Sequence, residues 1–293
     1  MRHTTDPGKA WVGPRGTALE AVIESTCHPA VRRVADVLRT PSGAQRVILI
    51  DDEENIAQAL RCGIRFDSLY ATIGMESAVP EIFIPAGARH VPMHLLSERT
   101  VKELFGNDKR SRVFALAHRP RRPTLGDLSD RDGDIVVLDG VRLAGNIGAI
   151  TRTACALGAA GVVLLDSGLT SVLDRRLIRA SRGLVFSLPV VLASRQELRD
   201  YLRQQGISVA GLAVDASTPL NVISTVRRRL ALLIGGERTG TSDDMDVLAE
   251  HRYRIPMTSG VESFNVSVAT GIALYERREG RMSRWSETCA QLR

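Results

Sequence analysis

Residues 134–166 read DIVVLDGVRLAGNIGAITRTACALGAAGVVLLD, and this stretch decides the fold. Two near-continuous apolar runs, 134–141 and 161–166, read as buried strands. Between them lie a turn rich in Gly and Asn and the helical pattern AITRTACALG at 149–158. A strand, a helix and a second strand apolar on both faces describe one unit of a parallel sheet covered on both sides. The alternation runs on through a basic helix at 175–183, the apolar LPVVLA, a helix at 195–205 and apolar stretches at 207–216 and 229–237. RIPM at 254–257 and a final helical pattern at 264–278 complete it.

The pattern is weaker upstream but of the same kind. Residues 28–39 place Val31, Val34, Ala35 and Leu38 on one helical face, and strands are expected at 46–52, 68–74, 91–97 and 112–119. Helices at 54–63 and 98–106 end on Gly63 and Gly106. Residues 16–118 thus form a small α/β domain with nothing catalytic in it. Its basic edge, Lys109, Arg110 and Arg112, reads as an RNA contact or as a solvated loop. Residues 1–15 are expected to be disordered and 119–133 to be a linker, although Leu125 and Leu128 could pack. The second domain is read as 134–280 and the tail as 281–293.

A length of 293 residues favours two domains, and 44% apolar with 25% charged residues is an ordinary globular balance. A net charge of +6 and a pI near 9.5 point to a polyanionic partner. The basic residues are nearly all arginine, whose planar fork suits phosphate and guanine; only Lys9, Lys102 and Lys109 are lysines. Aromatics at 4% argue against binding single strands mainly by stacking. Cys27, Cys62, Cys155 and Cys289 are scattered, so neither a metal site nor a disulfide framework is expected. No apolar signal core opens the chain and no run reaches membrane-spanning length, so a cytoplasmic protein with no membrane partner is expected.

Ligands of open parallel sheets bind where loops leave the carboxyl ends of strands. Three such loops have unusual compositions: 140–153, 235–244 and 255–271. The first is glycine-rich and opens a helix, yet fits neither the dinucleotide fingerprint nor the P-loop. The second, after an apolar strand, begins Gly235-Gly236-Glu237, where a ligand could approach the backbone closely. The third sets Glu262, Ser263, Asn265 and Ser267 at the mouth of a helix, where such residues commonly serve as caps. Each alone reads as a turn or a cap; their joint occurrence asks for a common cause.

The three loops together resemble the SpoU (TrmH-like) RNA ribose 2′-O-methyltransferases of the SPOUT superfamily. The first motif is Asn146-Ile-Gly-Ala-Ile-Thr-Arg152-Thr153, and the second is an apolar strand ending Gly235-Gly236-Glu237-Arg-Thr-Gly240. The third is Ile255-Pro256-Met257 followed by Glu262-Ser263-Phe264-Asn265-Val266-Ser267-Val268-Ala269, with Phe264 in place of the usual leucine. The match covers about 119–278. Within it, the chain is most similar to the thiostrepton- and nosiheptide-resistance rRNA methyltransferases, which carry a small RNA-binding domain like a ribosomal protein before the catalytic one.

The resemblance implies a SPOUT domain with a mostly parallel sheet and a trefoil knot, S-adenosylmethionine as methyl donor, no metal, and a homodimer. It implies methylation of an adenosine ribose in the GTPase-associated region of 23S rRNA, conferring thiopeptide resistance. A housekeeping tRNA or rRNA methyltransferase, or a non-catalytic RNA-binding protein of the same fold, are the alternatives. By motif, the donor would be held by Leu212, Gly235, Gly236, Ile255, Phe264, Asn265 and Ser267. Arg152, Asn146, Glu237 and Asn265 would carry the catalysis. A guanidinium stays protonated, so Arg152 is read as an electrostatic clamp rather than a base. Arg175, Arg179 and Arg182, on one face of the basic helix, would join Arg152 in holding RNA.

Overall fold

A computed structural model describes residues 22–75, 91–106, 111–237 and 239–291. The expectation of disorder at 1–15, and Lys109 and Arg110, lie outside the described residues. Two compact units part after Pro120.

In the first unit the order is α1 (Pro29–Arg39), β1 (Val47–Asp51), α2 (Glu53–Arg61), β2 (Phe66–Thr72), β3 (Met93–Leu96), α3 (Glu98–Phe105) and β4 (Val113–His118). Its sheet runs β1-β4-β2-β3, with β4 antiparallel to both neighbours and β2 parallel to β3. Helix α1 starts behind His28, whose ring accepts from the Ala30 N–H, and buries Val31 and Val34 as the periodicity requires. Those two pack with Leu49, Tyr70, Leu96, Phe105 and Phe114; Tyr70 and Phe114 stack with ring centres 4.9 Å apart.

The second unit contains β5 (Ile135–Asp139), α4 (Ala144–Ala156), β6 (Gly161–Leu165), α5 (Arg175–Ala180), β7 (Val190–Leu192), α6 (Arg195–Gln205), β8 (Ser208–Leu212), β9 (Thr218–Pro219), β10 (Leu230–Gly235), α7 (Asp243–Asp246), β11 (Ala249–Arg254) and α8 (Val266–Gln291). All pairs in its seven-stranded sheet, order β7-β6-β5-β10-β8-β11-β9, are parallel. The strand order reverses between β5 and β10, and loops leaving their carboxyl ends meet there.

Several expectations need correction. The Gly/Asn-rich "turn" before residue 149 is the first part of α4, which begins at Ala144. Gly148 is needed for packing: a Cβ there would lie 2.4 Å from the Ala180 Cβ and 2.8 Å from the Ser181 nitrogen. The basic helix ends at Ala180, not 183, and Arg182 turns left-handed at φ 52°. Arg182 therefore does not share a helical face with Arg175 and Arg179. RIPM is not a strand; β11 is the polar AEHRYR before it. Residues 121–133 belong to the second unit rather than to a linker, since Leu128 is fully buried in its core beside Ile135, Tyr201 and Leu233. Helix α8 continues through Gln291, across the stretch read as a tail.

Candidate functional site

The three motif loops meet on one carboxylate oxygen. Asn146, in the first turn of α4, donates Nδ2–H to Glu237 Oε1 at 2.8 Å, and Asn265 Nδ2 donates to the same oxygen at 3.0 Å. The Asn265 amide also lies 3.4 Å from Asn146 Oδ1. Its orientation is fixed from the other side, because Asn265 Oδ1 accepts from the Ser267 N–H at 2.9 Å and its hydroxyl at 2.6 Å. Only an oxygen can accept there, so the amide nitrogen must face Glu237. Asn265 is also the cap of α8, its carbonyl taking the Ala269 N–H. The ordinary capping reading and the site reading are thus both satisfied by one residue.

Beside Glu237 opens a cavity of about 440 Å³ at the carboxyl ends of β8, β10 and β11. Leu212, Ile234, Ile255, Met257, Phe264 and Val266 give it apolar walls. Asp215, Thr241, Asp246, Arg252 and Glu262 supply polar groups. Of the expected donor-holding residues, Leu212, Gly235, Gly236, Ile255 and Phe264 line it, while Asn265 and Ser267 do not. Gly235 and Gly236 have a role the sequence reading did not give them. A Cβ on Gly235 would sit 2.1 Å from the Gly240 carbonyl carbon, and one on Gly236 would lie 2.9 Å from the Gly140 oxygen. Paired bonds between Gly236 and Gly240, at 3.0 and 2.9 Å, close the loop tightly on itself. Gly235 admits its own loop and Gly236 the loop after β5, and the 235–241 segment then forms part of the cavity wall.

That loop is tied down by a group the motifs do not include. Asp139 ends β5 almost fully buried, and its Oδ1 accepts from Arg195 Nη2 at 2.7 Å. Its Oδ2 accepts from the Ser242 N–H at 2.8 Å and hydroxyl at 2.6 Å. The only signal in the sequence was a lone carboxylate closing an apolar strand.

The expected RNA-holding arginines are placed separately. Arg152 is exposed on α4 and makes no hydrogen bond or ion pair among the described residues. Six residues beyond Asn146, it lies about 240° around the helix and outside the Asn146–Glu237–Asn265 group. Arg175 and Arg179 are half-buried and Arg182 is exposed. Arg176 is held by Asp174, whose carboxylate also caps α5. Among the described residues no His, Cys, Asp and Glu cluster could hold a metal, and no helix is long and apolar enough to cross a membrane.

An α/β unit with an all-parallel sheet and a ligand-sized cavity at the carboxyl ends of its strands defines the class by architecture. The comparisons with known proteins narrow it. Residues 20–131 match the thiostrepton-resistance methylase N-terminal family, and 134–275 match the SpoU rRNA methylase family. The chain is 41% identical to a 23S rRNA (adenosine(1067)-2′-O)-methyltransferase of Streptomyces azureus, over 87% of this chain and 94% of that one. It is likewise 41% identical to the protein of that name from Streptomyces laurentii, over 90% and 97%. A crystal structure of an AdoMet-bound rRNA methyltransferase from Sinorhizobium meliloti superposes with a TM-score of 0.70 at 25% identity, covering 88% of this chain and 98% of that one. The chain belongs to the SpoU rRNA methylase family, in its thiostrepton-resistance branch.

Proposed function

We propose that this protein transfers a methyl group from S-adenosylmethionine to the ribose 2′-hydroxyl of an adenosine in 23S rRNA, in the GTPase-associated region. This confers resistance to thiopeptides. The observation that carries the reading is the convergence of Asn146, Glu237 and Asn265 beside the apolar cavity, in a chain 41% identical to adenosine 2′-O-methyltransferases.

The cavity suits the donor. Its volume falls within the range of small-ligand sites, its apolar walls accept an adenine ring and its polar groups accept the amino-acid end. The donor supplies an electrophilic methyl on a sulfonium. Leu212, Ile255 and Phe264 hold the base, and the Gly235–Gly240 loop shapes the wall. Glu237 fixes Asn146 and Asn265, so that their geometry is set before substrate arrives. Arg152, exposed and without a side-chain partner among the described residues, meets the ribose–phosphate and stabilises charge developing on the attacking oxygen. Arg175, Arg179 and Arg182 extend that contact along the RNA backbone.

The same reading includes a trefoil knot in the C-terminal strands and helix, supported by β10 lying between β5 and β8 in the sheet. It includes a homodimer, supported by exposed Leu143 before α4 and exposed Val268 and Tyr275 on α8. It places the protein in the cytoplasm with its rRNA, the first unit serving as an RNA-binding domain.

The test is to map 2′-O-methylation on 23S rRNA incubated with the purified protein and S-adenosylmethionine, and to express the protein in a thiostrepton-sensitive host. A single new methyl at an adenosine of the GTPase-associated region, with resistance, is expected. Methylation elsewhere without resistance would assign a housekeeping role, and no methylation would overturn the reading.

A further inference from the structure

One end of the first unit's sheet is a rim of basic side chains. Arg46 immediately precedes β1, Arg65 immediately precedes β2, and His118 ends β4 between them. The backbone joins the three strands there: the Arg119 N–H donates to the Arg46 carbonyl at 3.0 Å and the His118 N–H to the Arg65 carbonyl at 2.8 Å. Arg46 and Arg65 therefore stand about 10 Å apart, two strand spacings. Arg46, Arg65 and His118 are all exposed, and none makes an ion pair or side-chain hydrogen bond among the described residues. Asp67, two residues beyond Arg65, is held by Arg33 at 2.7 Å.

The rim is also braced. Gln45 Nε2 donates to the Val37 and Thr40 carbonyls at 2.7 and 2.8 Å, closing the end of α1. Arg119 Nη1 donates to the Ser42 carbonyl at 2.6 Å and, at 3.3 Å, to that of Gln45. The segment delivering Arg46 is thus fixed on both sides, and Arg119 is a positioning residue. At the opposite end of the sheet Asp51, almost fully buried, closes β1 with Asp52, Glu53 and Glu54 after it, and Glu98 and Arg99 follow β3. Arg112 precedes β4 at that end.

The geometry points to this rim as the surface by which the first unit grips the phosphate backbone of the substrate RNA. Guanidinium groups on a rigid frame, with no side-chain partner among the described residues, bind phosphates with little ordering cost. The inference rests on the proposed rRNA substrate.

The test uses the full chain and in vitro transcribed 23S rRNA. Wild type is compared with Arg46→Ala/Arg65→Ala, with Arg46→Gln/Arg65→Gln, and with the charge-matched Arg32→Ala/Arg99→Ala. The rim variants are expected to weaken RNA binding about ten-fold and to lower the slope of log affinity against log salt by about 1.5. Affinity for S-adenosylmethionine and the melting temperature should not change, and the charge-matched variant should bind as wild type does. If wild type binds and methylates the RNA but the rim variants match its affinity and slope, this inference falls alone. It falls too if the charge-matched variant loses as much. If wild type neither binds nor methylates the RNA, both readings fall.

Discussion

Arg277 grips Asp134 across 143 residues of chain, with Nε 2.7 Å from one carboxylate oxygen and Nη2 3.0 Å from the other. Both side chains are almost wholly buried, at 2% and 4% exposure. The guanidinium also donates to the carbonyls of Ile223, Val226 and Arg228, and Asp134 accepts from the Leu230 N–H. A buried pair is tolerable only when its remaining hydrogen-bonding capacity is used in this way. It fastens α8 to the starts of β5 and β10.

Removing one partner strands the other charge in the core. Arg277→Ala is expected to destabilise the protein by roughly 3–5 kcal/mol. Denaturant unfolding measures this, and a loss under 1 kcal/mol would contradict the clamp.

Glu237 is exposed, so its loss should cost activity rather than stability. In Glu237→Ala the Asn146 and Asn265 amides lose their shared acceptor. Single-turnover methyl transfer is expected to slow by about 10²-fold or more, with melting shifted little. Unimpaired transfer would mean that the three-loop junction is not catalytic.

Arg152→Ala should abolish methyl transfer while leaving donor affinity within about two-fold, because Arg152 lies outside the cavity wall. Calorimetry with S-adenosylmethionine alongside turnover separates the two. Near-normal turnover would remove Arg152 from the mechanism.

Gly148→Ala tests the packing reading of the first motif. The new methyl would meet the Ala180 Cβ and backbone within 2.6 Å, forcing α4 and α5 apart at a cost of about 1–3 kcal/mol. A variant as stable as wild type would contradict the packing role of Gly148.

Asp127 carries a pH signature. Hydrogen bonding from Arg121, and then from the Thr124 N–H, holds its carboxyl far below the usual carboxylate range. A carboxyl depressed by folding stabilises above its unfolded value, near 3.9, and that contribution is lost as pH falls through the folded value. Asp127→Asn should therefore cost on the order of 1 kcal/mol at pH 7, through the weakened bonds from Arg121 and the Thr124 N–H, and the gap to wild type should narrow below about pH 4. A gap of equal size at both pH values would refute the assignment.

The strands of the second unit were legible where both faces are buried, as in β5, β6 and β10, since apolar runs leave little choice of conformation. Strand β11 was missed for the opposite reason. It lies beside the two-residue β9 near the sheet edge, so most of its residues are exposed and polar. Of the site, Asn146, Glu237 and Asn265 were legible through their motifs, and the structure brings them together. What the motifs could not convey was why the glycines are there. Gly148, Gly235 and Gly236 answer to Ala180, Gly240 and Gly140, which lie 32, 5 and 96 residues away in sequence, and such contacts exist only once the chain has folded. The Asp139–Arg195–Ser242 staple was invisible for the same reason. Arg182 was misplaced because spacing assumes an unbroken helix, and Gly183 follows it in a left-handed turn.

Asn265 caps α8 and also completes the junction at Glu237, and this joins two events in time. On a chain being synthesised, Asn146 emerges long before Asn265, and Arg277 later still. The junction can close only when the first turn of α8 has formed and the helix has docked. Until then a nascent chain holds most of the cavity-forming strands but not the three-residue junction beside them. The junction therefore forms late in synthesis, together with the closing of the fold, and Arg277 locks both at once.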